Sequence, residues 1–594
     1  MSRRRVFVRV FVVVLLFAAA VYLGCIISPP SLMDDVDAVQ AKIAHNMLSS
    51  GDWVTARLDG VPFLEKPPLF YWTIAVSYMI FGVHDWAARI PVALSAIFLC
   101  LATAGFGLWA FGRRAALYAG LCMSTCIGLF LFTRILIPDA MQTLSITLAL
   151  WAMLRALDEE EQHPGAWAAV MAACLGAGLL LKSLIGVVFP IGTAFLYLLI
   201  TRQLFAARTW KRLRPFTGLL IALVIAVPWH VLATLRNPPY FSFAMQSIPG
   251  QYHGFWWFFF INEQLLRFLN LRYPRDYDTV PRYLFWLFNL IWLFPWSAYL
   301  PAAFKLSYRP VDRAGRVRLL ALCWIGFVMV FFTFSTTQEY YSMPIYPALA
   351  LLIGSAMELE GRTVRAGTRA VTVICAVAAA AAIAILVYVR HVPTPGDISQ
   401  ALSSNPGAYK LSLGHMEDLT LESFAYLRLP LALAAAAFLI GVVSTLRTAR
   451  KSTYIGIAVM MVVFFHAARL AMVTFDPFLS SRPLVKALKQ SPPGELIIDH
   501  HYFWFSSVFF YADRDGLLLD GRFHNMVYGS YAPASANPFI DSAQFQQLWQ
   551  RPGRCYVVAR NEQVDHLASL VGREQLIPVS ASGGKVLITN HPLP

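Results

Sequence analysis

Long apolar runs broken by short basic segments dominate the first four-fifths of the 594-residue chain. A helix needs about 20 apolar residues to cross a bilayer. Runs of that kind lie near 6–27, 90–111, 115–134, 138–156, 166–181, 184–201, 216–235, 283–304, 319–335, 343–357, 370–389, 430–446 and 454–474. The pattern predicts an α-helical polytopic membrane protein with about thirteen transmembrane helices. The stretch Leu69–Phe81 (LFYWTIAVSYMIF) is too short to span and rich in aromatics, which suits a helix lying at the membrane interface.

Near residue 475 the pattern changes. Short apolar strands at Glu495–Ile498, Gly516–Leu519, Cys555–Ala559 and Lys585–Thr589 alternate with turn residues and a helix near Ser542–Trp549. This predicts a small α/β domain over 476–594, following a transmembrane domain over 1–475 whose first long loop covers 28–89.

Composition supports the membrane reading. Hydrophobic residues make up 58% and charged residues 14% of the chain, and mean hydropathy is +0.57. Soluble proteins carry about 25% charged residues, so a water-soluble multidomain protein is excluded. The net charge of +15 raises nucleic acid as a partner. The basic residues instead fall in alternate loops, among them Arg113 and Arg114; Arg208, Lys211 and Arg212; Arg309, Arg313 and Arg316; and Arg447 and Arg450. That is the positive-inside pattern, and no nucleic-acid partner is expected. The first run follows Arg3, Arg4, Arg5 and Arg9, is longer than a signal-peptide core and has no A-x-A site, so it reads as a retained anchor. The N-terminus is then cytoplasmic and the C-terminus periplasmic, in a multi-pass protein of the inner membrane. The eight cysteines form no CxxC pair and no disulfide framework.

Apart from Asp139, at the very start of its segment, the assigned spans contain no Asp or Glu. Coupled transporters keep ionisable groups at membrane depth, so transport is disfavoured. The outer loops gather charge beside aromatics instead: Asp34-Asp35-Val36-Asp37, Gly51-Asp52-Trp53, Phe63-Leu64-Glu65-Lys66-Pro67-Pro68 and Arg134-Ile135-Leu136-Ile137-Pro138-Asp139. A carboxylate just outside the bilayer can take a proton from an acceptor or orient it. A neighbouring cation can hold the phosphate of a lipid-linked donor. No glycine-rich phosphate loop appears, so a nucleotide is not the obvious donor.

The stretch DDVDAVQAKIAHNMLSSGDWVTARLDGVPFLEKPPLFYW resembles the first periplasmic loop of the bacterial aminoarabinose transferases and of the wider protein mannosyltransferase superfamily, the lipid-dependent glycosyltransferases of the C-type (GT-C) membrane fold. The resemblance extends to RILIPDA, to the Lys182-Ser183 turn where relatives often read Thr-Lys-Gly, to NEQLLRF at 262–268 and to QEYYSMPIYP at 338–347. It implies inverting transfer of a sugar from a polyprenyl-phosphate donor to a lipid or cell-envelope glycan acceptor, lipid A-like or protein, at the periplasmic face. The family's first-loop aspartate falls on Asp35 or Asp37, with Asp35 preferred, and Asp139 is the second acidic residue. Lys66 would hold the donor phosphate, helped by Arg267 and Tyr341.

Two positions depart from the family pattern. Some relatives bind a metal through the Glu of EKPP and a His in the NEQLLRF segment; here Glu65 is present but Gln264 stands at the His position, so a divalent metal is a doubtful cofactor and no other is implied. The Asp-Glu-x-Arg-Tyr start of the loop is also absent, its Arg and Tyr falling on Val39 and Gln40, which leaves sugar and acceptor open. The competing readings are a lipid or glycolipid flippase and a non-catalytic envelope assembly protein.

Overall fold

The computed structural model describes residues 3–24, 26–275, 279–405, 411–446, 451–533 and 535–593. The loop cations Arg447 and Arg450 lie outside them. Every apolar run of the sequence is helical. Among the described residues eight helices are long and apolar enough to cross a membrane: Asp85–Ala110, Asp139–Leu157, Pro164–Lys182, Ala207–Arg236, Arg313–Thr333, Arg362–His391, Arg428–Leu446 and Ser452–Thr474. Arg282–Trp292 and Trp296–Ala303, a pair bent by 95°, are together long and apolar enough for one broken span or a re-entrant loop. The remaining runs form helices at Arg3–Tyr22, Ile185–Ile200 and Tyr346–Met357, and a helix broken at Cys126 into Arg113–Thr125 and Ile127–Phe132. The chain is a multi-pass membrane protein.

The two ends of the bundle differ in chemistry. At one end the basic loops meet: Arg313 pairs with Asp158 and Glu160 (2.8 and 2.7 Å), Arg208 with Glu159 (2.7 Å), and Arg114 with Glu360 (3.5 Å). At the other end the first loop supports the C-terminal region. Helix α1 (Val36–Ser50) opens this loop and stops at Gly51, whose φ of 71° is the left-handed closure that glycine tolerates best. Helix α2 (Leu69–Phe81) matches its predicted limits. It buries Phe70, Tyr71, Ile74 and Tyr78 and exposes Val76, Met79 and Ile80, the division expected of a helix half-sunk at an interface.

The C-terminal region folds as a six-stranded sheet. Two short strands, β1 (Arg57–Leu58) and β2 (Val61–Pro62), belong to the first loop; the sheet itself comprises β3 (Glu495–Asp499), β4 (Leu517–Leu519), β5 (Phe539–Ile540), β6 (Cys555–Arg560), β7 (Ile577–Ser582) and β8 (Lys585–Thr589), in the order β5-β4-β3-β6-β8-β7. Strands β3 to β6 pair in parallel, and β7–β8 close an antiparallel edge. The central strands are buried on both faces, which explains why they read as unbroken apolar runs. The helix at Ser542–Trp549 is present with a reciprocal Asp541–Gln544 cap; β5 and β7 are the strands that sequence pattern did not indicate.

First loop and C-terminal region pack as one body. Their apolar side chains share a core that includes Ile43, Tyr71, Tyr78, Phe505, Phe509 and Ile498. The contact is close: a Cβ on Gly529 would stand 2.0 Å from the Pro62 carbonyl oxygen, so only glycine fits there.

Candidate active site

Three neighbouring aspartates at the start of the first loop have three different environments. Asp34 accepts hydrogen bonds from Lys585 Nζ (2.6 Å), Ser481 Oγ (2.7 Å) and the Ser507 amide (2.8 Å), so both its oxygens are committed to the C-terminal region. Asp37 is fully buried and accepts the Leu136 amide at 2.8 Å, which ties α1 to the turn before Asp139. Burial pushes the Asp37 carboxyl up, against the pull of Arg89, the Leu136 and Met33 amides and Arg134.

Asp35 lies between them and is different. Its backbone takes φ 71°, outside the comfortable range of an L-residue, and its amide donates to the Phe503 carbonyl at 2.6 Å. The side chain is exposed, and it accepts no hydrogen bond among the described residues. Yet surrounding protein desolvates it and, with Asp34, Asp37 and Glu65 adding like charge against Lys66, pushes its pKa up to about 7. Water thus reaches the Asp35 carboxylate while protein crowds it on its other sides.

Lys66 and Glu65 follow β2 and enter the same space. Lys66 Nζ is 3.7 Å from Glu65 Oε1, and Arg267 Nη1 is 3.9 Å from the same oxygen, so both cations sit at ion-pair distance without a close hydrogen bond to it. Arg267 is held from behind by Glu263 (2.8 Å) and donates to the Tyr341 hydroxyl (3.1 Å). Arg272 pairs with the other Glu263 oxygen. Burial alone would raise the Glu65 carboxyl, but Lys66, Arg272 and Arg267 hold it below the ordinary range.

Asp139 starts its helix at Pro138 and is buried against Lys182, whose Nζ donates at 2.5 Å and lies 5.1 and 4.7 Å from the ring centres of Tyr340 and Tyr341. Tyr340 is within electrostatic range of Asp139, Arg267 and Glu65, so these groups converge on one region. The turn that presents Lys182 is tight. Ser183 takes φ 62°, and a Cβ on Gly186 would fall 2.4 Å from the Gly178 carbonyl carbon. A glycine at 183 would relieve that backbone.

The family model described as dolichyl-phosphate-mannose-protein mannosyltransferase matches residues 65–231, a range that holds Glu65, Lys66, Asp139 and Lys182. Undecaprenyl phosphate-alpha-4-amino-4-deoxy-L-arabinose arabinosyl transferase 2 of Pseudomonas fluorescens (strain Pf0-1) is 28% identical over 327 residues, 53% of this chain and 54% of the relative. The corresponding transferase of Pseudomonas aeruginosa (strain LESB58) is 30% identical over 329 residues, again 53% and 54%. These alignments thus span about half the length of the curated relatives. ArnT from Cupriavidus metallidurans, in a crystal structure bound to undecaprenyl phosphate, superposes with a TM-score of 0.75 at 22% identity, covering 98% of this chain and 97% of that one. Its apo form gives 0.75 at 21% identity. The chain is thus similar to the protein mannosyltransferase family over residues 65–231 and to the aminoarabinose transferases over about half its length. Its fold is the C-type membrane fold with a small C-terminal sheet region.

Within that fold the structure brings Lys66, Glu65, Arg267, Tyr341, Asp139 and Asp35 into one neighbourhood, and sets Asp37 apart as a buried brace. Residues that sequence reasoning missed are Lys182, Glu263, Arg272 and Asn525. Lys182 had been noticed only as part of a turn; Glu263 and Arg267 stand four apart, a spacing that signals an ion pair on a helix. Asn525 carried no signal at all. The donor set around Glu65 does not fit a divalent cation: Asn525 Nδ2 donates to Oε2 at 2.6 Å, and Lys66 and Arg267 flank Oε1, so the carboxylate already faces three positive side chains and an amide. The aromatic run Phe255–Phe260 buries Phe255, Trp257, Phe258 and Phe259; Tyr528 stacks 4.4 Å from Phe258 and donates to the Gly254 carbonyl at 2.9 Å.

Proposed function

We propose that the protein is an integral membrane glycosyltransferase that moves a sugar from a polyprenyl-phosphate donor to a lipid or cell-envelope glycan acceptor. The observation that carries this reading is the meeting of Lys66, Arg267 and Tyr341 with an open carboxylate, Asp35, whose pKa is near 7. The relatives' names point to the same donor class.

In the reaction an acceptor oxygen attacks the anomeric carbon of the sugar, the bond from that carbon to the phosphate oxygen breaks, and the polyprenyl phosphate leaves with the electron pair. The configuration inverts. Lys66, Arg267 and the Tyr341 hydroxyl meet the charge growing on the phosphate; one fixed donor of this kind contributes about 3 kcal/mol to the transition state. If the acceptor is a hydroxyl, its proton passes to Asp35. A carboxylate with a pKa near 7 is better matched to that task than an ordinary one. Lys182 pairs with Asp139 beside the rings of Tyr340 and Tyr341, so Asp139 acts through Lys182 on the placement of these tyrosines.

In this reading the transmembrane part covers 1–475 and the periplasmic part 476–594, and the site faces the periplasm with the N-terminus in the cytoplasm. The clustering of basic loops at the opposite end of the bundle supports that orientation. Purified protein incubated with radiolabelled undecaprenyl-phosphate sugars and cell-envelope extracts should move label into the extract. A protein that transfers none of them, though folded and reconstituted, would overturn the proposal.

A further inference from the structure

Asn525 belongs to the C-terminal region, at the start of the short helix His524–Ser530, yet its side chain is buried among the charges of the transmembrane part. Its carboxamide is used at both ends. Nδ2 donates to Glu65 Oε2 at 2.6 Å, and Oδ1 accepts from the Arg272 guanidinium. These contacts join positions 460 and 253 residues apart in the chain.

An amide is suited to this place for a simple reason. The group facing Glu65 must donate and the group facing Arg272 must accept, and an uncharged side chain has to do both at once. Without it the Arg272 Nη2 and Glu65 Oε2 atoms would each lose this contact, and the most direct relief would be a salt bridge between them. With it, Arg272 stays on Glu263, and Glu65 Oε1 is left to Lys66 and Arg267 at 3.7 and 3.9 Å. Those are the two cations the proposed reaction needs on the donor phosphate. Their pairing with Glu65 is loose enough for a phosphate to displace it.

We infer that Asn525 is a positioning residue through which the C-terminal region completes the donor-phosphate site, setting Glu65 and thereby Lys66 and Arg267. The inference rests on the reading of Lys66 as the phosphate holder given above. It assigns the C-terminal region a part in the binding of the donor, beyond covering the cavity. His524, next in the chain, lies in the electrostatic range of both Arg272 and Glu65, and the Phe503 carbonyl fixes the Asp35 amide, so the same region touches the site from three places.

The test uses the full-length protein in lipid nanodiscs and undecaprenyl phosphate as the probe, whatever the sugar. Its affinity is measured from pH 5.5 to 8.5 for wild type, Asn525→Ala, Asn525→Asp and Lys66→Ala, each expressed relative to wild type at the same pH. Asn525→Ala should bind at least tenfold more weakly throughout. Asn525→Asp should be equally weak at pH 8.5, where the introduced carboxylate repels Glu65, and should recover toward wild type at pH 5.5, where its protonated form can again donate to Glu65 and accept from Arg272. A purely structural role would not produce that selective recovery. Wild-type affinity in Asn525→Ala beside a weakened Lys66→Ala overturns the inference and leaves the function standing, as does weak binding by Asn525→Asp that ignores pH. Unchanged affinity in Lys66→Ala overturns the reading on which both depend.

Discussion

Lys182 Nζ lies 2.5 Å from Asp139 Oδ1, joining the last residue of one spanning helix to the first of its neighbour. Asp139 keeps only 4% of its side-chain surface, so removal of the lysine would strand a buried charge. Breaking such a pair from one side costs about 3–5 kcal/mol, whereas removing both charges is often close to neutral. Lys182→Met is therefore expected to lower the unfolding temperature in detergent sharply, and Asp139→Asn with Lys182→Met to regain most of it. Transfer activity should not return with stability, because Tyr340 and Tyr341 would still lack the ammonium beside their rings.

A second buried pair ties the two parts of the molecule together. Lys585 on β8 reaches Asp34 at 2.6 Å, with 10% and 9% of the two side chains exposed. Lys585→Met should destabilise the protein by about 3 kcal/mol. Hydrogen exchange should rise first at Phe503 to Ala512, whose backbone is fastened to Asp34 and Asp35. Equal loss of protection in the bundle helices would argue against a local hinge at this contact.

The pH dependence follows from Asp35. A base works ionised, so transfer to a hydroxyl acceptor should rise as pH increases through about 7 and then level off. Stability should move the other way. The native carboxyl holds its proton up to about 7 while the unfolded chain releases it near 3.8, so the native state binds more protons between these values and stability falls as pH rises across that window. Asp35→Asn removes the penalty: it should be more stable than wild type above pH 7, indistinguishable below about pH 4, and inactive. An activity profile unmoved between pH 6 and 8 would show that Asp35 is not the base.

Glu65 leads to a prediction about metal. Its oxygens face Lys66, Arg267 and Asn525, an arrangement that repels a further cation. Prolonged chelation should leave transfer unchanged, and zinc added afterwards should have no effect. A loss on chelation that zinc restores would contradict this account of the site.

Much of this architecture was legible in the sequence, because membrane insertion enforces a long, monotonous apolar signal. All thirteen runs are helical, and the four strands named from sequence are β3, β4, β6 and β8. The site was legible where charge stood beside aromatics and proline in an outer loop, as at Glu65-Lys66. What could not be read was division of labour. Asp34, Asp35 and Asp37 look equivalent on paper, and only tertiary contacts from Lys585, Phe503 and Leu136 separate them. The roles of Asn525 and Lys182 were hidden for the same reason: each matters through a partner dozens to hundreds of residues away. The short edge strand β5, two residues long, is too brief to produce a periodic signal.

The central claim is that Lys66 holds the donor phosphate while Asp35 serves the acceptor. Kinetic comparison of Lys66→Ala and Asp35→Asn, with a labelled undecaprenyl-phosphate sugar and matched binding of undecaprenyl phosphate, tests it most directly. Lys66→Ala should lose at least tenfold in both affinity and turnover; Asp35→Asn should bind undecaprenyl phosphate like wild type and transfer at least a hundredfold more slowly. Wild-type turnover in either variant, with the protein folded, would contradict the account.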